Sequence, residues 1–245
     1  MTRAHERFLE FKRLRNAEPV QLDPHTTGLV VIDMQEYFLN PESPFSRLAE
    51  GRVPGVLDYF QSRAHTVVVQ TLRRLLDVFR AHGLRVVYTT VASERSDGTD
   101  LMPIFQRMNA VAREQIGEAF IPPRTDPWAR IVAGLEPCAD ELVVNKTTYG
   151  TFNSTGFDHT LRSLGIETLV IGGVVTNACV ETTARDAADR GYQVILVDDA
   201  WAAYSPEIHE ATLVSFMGSF GRVRTADEVL ALLERALPVA LAAQH

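Results

Sequence analysis

Cysteine is scarce in this chain of 245 residues, which has only Cys138 and Cys179. They allow at most one disulfide, and a chain of this length does not need one to fold, so a reducing, cytoplasmic setting is expected. Long hydrophobic runs are also missing. The longest stretch without Asp, Glu, Lys or Arg, Thr168 to Val180, falls well short of the ~20 residues that cross a bilayer. The N-terminus is charged from Arg3 and lacks the apolar core of a signal peptide, so neither export nor a membrane partner is expected. Positive charge is in deficit: 24 Lys and Arg against 31 Asp and Glu leave a net −7, which argues against a nucleic-acid partner. The seven histidines form no pair at metal-ligand spacing and there is no C-x-x-C, so no metal is expected. The G-x-G-x-x-G, G-x-x-x-x-G-K-[ST] and G-x-S-x-G patterns are absent too, which leaves nucleotide cofactors without support.

What is present suits an ordinary globule: 46% hydrophobic and 22% charged residues exclude disordered and fibrous classes. Gly28 to Asp33 is a β-branched apolar run ending in a carboxylate, the pattern of a strand buried on both faces. Runs of the same kind recur at 85–91, 141–145, 167–175 and 192–197, with a weaker one at 221–224. Between them lie helical patterns at 65–82, 157–164 and 177–190, each stopped by a glycine. Strands alternating with amphipathic helices predict an α/β fold, a three-layer αβα sandwich around a mainly parallel, Rossmann-like six-stranded sheet. Residues 1–27 read as an N-terminal arm with a short helix from Glu6 to Arg15, expected to pack against a neighbour or cover an entrance, and residues 28–245 as one domain. Two stretches, 39–64 and 92–135, break the rhythm after strand ends, where such sheets place their ligands, and are expected to wall a pocket.

Three side chains fall at carboxyl ends of strands. Asp33 ends the first run and is either a solvated turn carboxylate or a functional one. Lys146 ends the third in the same way. Cys179 lies in the first turn of a helix, where backbone N–H groups and the helix dipole favour a thiolate; the alternative is a small buried hydrophobe. Cys138, in a loop, reads as structural. Because strand ends converge, an acid, an amine and a thiol could share one pocket, a set suited to nucleophilic acyl transfer.

At these residues the chain resembles the isochorismatase-like superfamily of cysteine hydrolases, which includes nicotinamidases, N-carbamoylsarcosine and ureidoacrylate amidohydrolases and biuret hydrolase. The resemblance rests on Val31 to Gln35, on Val144 to Phe152, on Gly173 to Thr183 and on Arg185-Asp186, Gly191-Tyr192 and Asp198-Asp199-Ala200. It implies that Asp33 is the general base toward the thiol and later the acid toward the leaving amine. Lys146 would bridge Asp33 and Cys179 and lower the thiol pKa, and Cys179 would form a thioester that water hydrolyses. It also implies a cis peptide at Val174–Val175, turning the N–H of Val175, with that of Cys179, toward an oxyanion. Isochorismatase itself lacks the cysteine, so Cys179 argues for amide chemistry. Metal-dependent nicotinamidases use histidines shortly after the first Asp, and none occurs here between His25 and His65.

The expected activity is that of a metal-free cysteine amidohydrolase acting on a small linear amide or N-carbamoyl compound with release of ammonia. The alternatives are an isochorismatase-type vinyl-ether hydrolase and a catalytically silent binding domain. Phe38, Tyr149, Phe152, Asn177, Trp201 and Phe216 are candidate substrate contacts, although Asn177, like Thr176, is also a candidate helix cap. Arg95, Arg107 and Arg124 could meet a substrate carboxylate or simply lie at the surface. The resemblance and the arm together predict a homo-oligomer, a dimer or tetramer.

Overall fold

In the computed structural model, which describes residues 3–242, the arm folds as helix α1 (Arg3–Ala17), longer at both ends than its sequence pattern indicates. Residues 1 and 2, and residues 243–245 of the expected 28–245 domain, lie outside the described residues. The helix is turned inside out. Its buried residue is Lys12, whose Nζ donates to the carbonyls of Ser215 and Met217 and to Ser219 Oγ, while Phe8, Phe11 and Leu14 stay exposed. Asn16 adds two hydrogen bonds with the backbone of Val223, so the arm is fastened to its own chain.

The first apolar run forms β1 (Thr27–Ile32), buried throughout. After it come the short α2 (Glu36–Leu39), α3 (Pro44–Arg52) and α4 (Asp58–Arg63), which continues through a π-helical turn at Ala64–Val68 into α5 (Val69–Ala81). The stretch expected to be irregular before residue 65 is therefore largely helical. Strand β2 (Arg85–Val91) follows, then α6 (Pro103–Ile116) inside the second rhythm-breaking stretch, then β3 (Leu142–Lys146). The remainder alternates: α7 (Phe157–Ser163), β4 (Thr168–Val174), α8 (Glu181–Asp189), β5 (Gln193–Ala202), α9 (Pro206–Phe216), β6 (Arg222–Arg224) and α10 (Ala226–Ala242).

The six strands pair in parallel in the order β3-β2-β1-β4-β5-β6. Right-handed crossovers running outward from the centre in opposite directions put α5 and α8 on opposite faces and close the three-layer sandwich. The order reverses between β1 and β4, and the crevice outside the carboxyl ends of these strands is where open α/β sheets bind ligands. The sequence run that becomes β3 differs from the central runs. It is an edge strand with a single neighbour, and Leu142 and Val143 are exposed at 42% and 38%. β5 also outruns its apolar pattern and carries Asp198 and Asp199, because its pairing with β4 shifts register between Ile171 and Gly173 and then resumes. No helix among the described residues is long and apolar enough to cross a membrane.

Candidate active site

The backbone turns sharply where β1 ends. Asp33 takes a left-handed conformation (φ 52°), one that Asp adopts more readily than most residues and that is common at functional turns. Its N–H donates to Thr89 O, and its Oδ1 accepts from Thr89 Oγ1 at 2.8 Å, so β2 fixes the carboxylate from the side. Its Oδ2 accepts from Lys146 Nζ at 2.6 Å. Lys146 reaches in from β3, two strands away, and both side chains are fully buried. The same Nζ donates to Thr148 O at 3.2 Å and lies 3.4 Å from Cys179 Sγ. An ammonium has three protons, and these three partners take them all.

Cys179 is carried on a π-helical turn, Thr176–Val180, that links β4 to α8. The Val174–Val175 peptide before it is cis. The turn is held from below: Thr176 Oγ1 lies 3.2 Å from His209 Nδ1, and His209 Nε2 lies 2.9 Å from Asp198 Oδ1. Neither Thr176 nor Asn177 caps the helix through its side chain. Val175 stands at the cap position, and Thr176 is turned toward His209 instead.

Burial pushes the Cys179 thiol well above its usual range. Lys146 opposes this and the negative charge of Asp33 adds to it. This differs from the thiolate expected from the helix start and from Lys146: at 3% exposure the cost of desolvating an anion outweighs both. For Lys146, burial alone would lower the pKa, but the neighbouring Asp33 and Cys179 more than offset it, and the ammonium is held above its ordinary value.

Above the three groups opens a cavity of about 470 Å³. Cys179, Val175, Asn177, Phe38 and Tyr149 line it. Phe152, Trp201 and Phe216 do not; they are core. Phe152 packs on Phe157, Trp201 edges onto His209 and Phe216 stacks with Phe220. The sequence reading passed over Tyr37, Phe105, Met108, Phe120, Ile121 and Tyr204, all of which line the cavity. The spacing of Phe105 and Met108 on α6 was the available signal. Nothing in the sequence distinguished Tyr37 from the adjoining Phe38. Thr89, which orients Asp33, was hidden inside an apolar strand. Gln35, beside the Asp, proves to be a clamp, bonding Val91 N and O and Ala129 O. Cys138 is exposed rather than packed. A larger, more open depression of about 730 Å³ near Trp128 and Val143 contains none of the three groups. Among the described residues no cluster of three or more His, Cys, Asp or Glu side chains could hold a metal ion.

The isochorismatase domain profile matches residues 27–228. The chain belongs to the isochorismatase family. It is 30% identical over 230 residues to the ureidoacrylate amidohydrolase RutB of Agrobacterium fabrum, covering 91% of this chain and 96% of that one. An uncharacterised isochorismatase family protein of Bacillus subtilis, YwoC, is 32% identical, with 86% and 96% covered. Among solved structures, a cysteine hydrolase from Pseudomonas syringae pv. phaseolicola superposes with a TM-score of 0.73 at 30% identity, covering 90% and 99% of the two chains. An N-carbamoylsarcosine amidase from Thermoplasma acidophilum does so at 0.61 and 27% identity, covering 82% and 97%. In this isochorismatase-family chain the three strand-end groups and the cavity all lie within the matched span.

Proposed function

We propose that the protein is a cysteine amidohydrolase that cleaves a small linear amide or N-carbamoyl compound without a metal ion. The observation that carries this reading is the single ammonium of Lys146 within bonding distance of both Asp33 Oδ2 (2.6 Å) and Cys179 Sγ (3.4 Å) beneath a cavity. Amidohydrolase relatives in the same family support it.

The chemistry balances on these groups. Asp33 takes the thiol proton as sulfur attacks the amide carbon, and Lys146 stabilises the negative charge that sulfur briefly carries. The backbone N–H groups of Val175 and Cys179 receive the oxyanion. The C–N bond breaks as Asp33 returns its proton to nitrogen, ammonia leaves, and a thioester remains on Cys179. Water, deprotonated by Asp33, then releases the acid and restores the thiol. Because burial raises the thiol pKa, attack by sulfur needs a base beside it.

The test is a screen for ammonia release over carboxamides, N-carbamoyl amino acids, ureidoacrylate and biuret. Cys179→Ala is expected to abolish turnover with the fold intact, and Asp33→Asn to lower kcat by about 10²–10⁴-fold. Undiminished activity in Cys179→Ala overturns the reading. A mass increase on Cys179 from a trapped acyl group is the expected signature of the intermediate. We also propose that the protein is a homo-oligomer, a reading supported by the outward apolar face of α1.

A further inference from the structure

Resting on the amidohydrolase reading, we propose that this site selects an uncharged amide with an apolar tail, and that the Tyr37 hydroxyl is the hydrogen-bond partner of its amide head. None of the described residues lining the cavity is Lys, Arg, His, Asp or Glu. Its walls include Phe38, Phe105, Phe120, Ile121 and Tyr149 beside the uncharged polar side chains of Asn177, Thr182 and Tyr204, with Phe105 and Tyr149 already packed edge to face at 4.6 Å. The nearest cation, Lys146, has all three protons engaged by Asp33, Thr148 and Cys179, so pairing with a substrate carboxylate would require it to release one of them. The arginines that could have met a carboxylate are elsewhere. Arg95, Arg107 and Arg124 are exposed and do not line the cavity; Arg95 pairs with Asp97, and Arg124 with Glu94. A carboxylate carried into these walls would lose water and find no counter-charge.

Tyr37 supplies the polar counterpart. Its side chain is fully buried, it lines the cavity, and its hydroxyl has no hydrogen-bond partner among the described residues. An orphaned buried hydroxyl is rare and costly, and a bound ligand removes that cost. Burial, with the negative charge of Asp33, raises the phenol well above its ordinary pKa. It therefore remains an O–H donor at neutral pH close to the reacting groups. At about 30 Å³ per water, the cavity holds roughly fifteen water-sized groups, room for a tail of several carbons beyond the amide.

The experiment compares hexanamide with adipamate, equal in carbon number and differing in a terminal carboxylate, by ammonia release. Hexanamide is expected to show a kcat/KM at least about 100-fold higher; equal or reversed values overturn the proposal while leaving the amidohydrolase reading intact. Met108→Arg, which places a cation on the half-exposed α6 wall, is expected to narrow that ratio at least tenfold, and an unchanged ratio counts against the proposal. Tyr37→Phe is expected to lower kcat/KM for hexanamide about tenfold without lowering Tm, since it deletes a group with no protein partner. A fall in Tm with unchanged kcat/KM overturns the role of Tyr37. If neither amide is hydrolysed, the amidohydrolase reading rests on the wider substrate screen and binding decides selectivity alone. A Tm increase of the Cys179→Ala protein with hexanamide but not adipamate supports it, and any other pattern overturns it.

Discussion

The charge of Lys146 is structural as well as chemical. Asp33 and Lys146 are both at 0% exposure, and the pair is stable because each satisfies the other inside the sheet. Removing one partner leaves the other as an uncompensated buried charge. Lys146→Met is therefore expected to destabilise the protein by about 3–5 kcal/mol in urea denaturation, as well as to abolish turnover. The double variant Asp33→Leu/Lys146→Met is expected to recover most of that stability and none of the activity; a double variant as unstable as the single would contradict the pairing argument. Gly173 has a different kind of necessity. At φ 131° it passes so close to β1 that a Cβ would lie 2.0 Å from Ile32 O. A backbone oxygen cannot move aside as a side chain can, so Gly173→Ala is expected to cost about 4 kcal/mol or more, or to prevent folding, as read by Tm and soluble yield.

At the scale of elements, the edge strand β3 must be held firmly, because Lys146 at its end has to reach across β2. Arg80 on α5 does this, bonding both oxygens of Glu141 at 2.8 Å just before the strand begins. Burial of Glu141 would raise its pKa, but the Arg80 hydrogen bonds and the Cys138 N–H prevail and hold it below the ordinary value. A carboxyl depressed in the folded state adds stability above its unfolded pKa of about 4.3, which is lost as pH falls through the folded value. Glu141→Gln is accordingly expected to lower Tm at pH 7 and to reduce the loss of Tm between pH 5 and 3. Parallel Tm profiles for the two proteins would contradict this. The same strand shows where sequence legibility ends. The β-branched runs of β1, β2 and β4 announced themselves, and strand position allowed Asp33, Lys146 and Cys179 to share one pocket, whereas their chemical roles were implied by the family resemblance. A run such as Leu142-Val143-Val144 reads identically at an edge and at the centre, because the pairing order is a property of the crossovers and not of the run. Aromatic residues were ambiguous for a related reason. Phe152, Trp201 and Phe216 sit near the motifs in sequence but face the core, while Phe105 and Phe120 come from a stretch without period 2 and line the cavity.

At the scale of the whole molecule, the proposed oligomer has to form against charge. Each copy carries −7, so two copies repel, and association needs apolar area to offset that. The outward stripe of α1 offers it: Phe8, Phe11 and Leu14 are exposed at 52%, 53% and 66%, spaced one turn apart, while Lys12, beside Phe8, anchors the helix to Ser215, Met217 and Ser219. A helix that buries a lysine and exposes two phenylalanines has its sides set for a second surface. Light scattering is expected to give a mass that is a multiple of 27.2 kDa. Replacing all three residues by serine is expected to shift that mass to a single chain while leaving the hydrogen bonds of Lys12 to Ser215, Met217 and Ser219 in place. Salt separates this apolar mode from an ionic one. Raising ionic strength from about 0.01 to 0.15 M shortens the screening length from about 30 to 8 Å, weakening the repulsion between acidic copies and strengthening an apolar contact. Dissociation on adding salt would mean that ion pairs and not the α1 stripe hold the copies together, and a wild-type mass of one chain at all concentrations would remove the oligomer altogether.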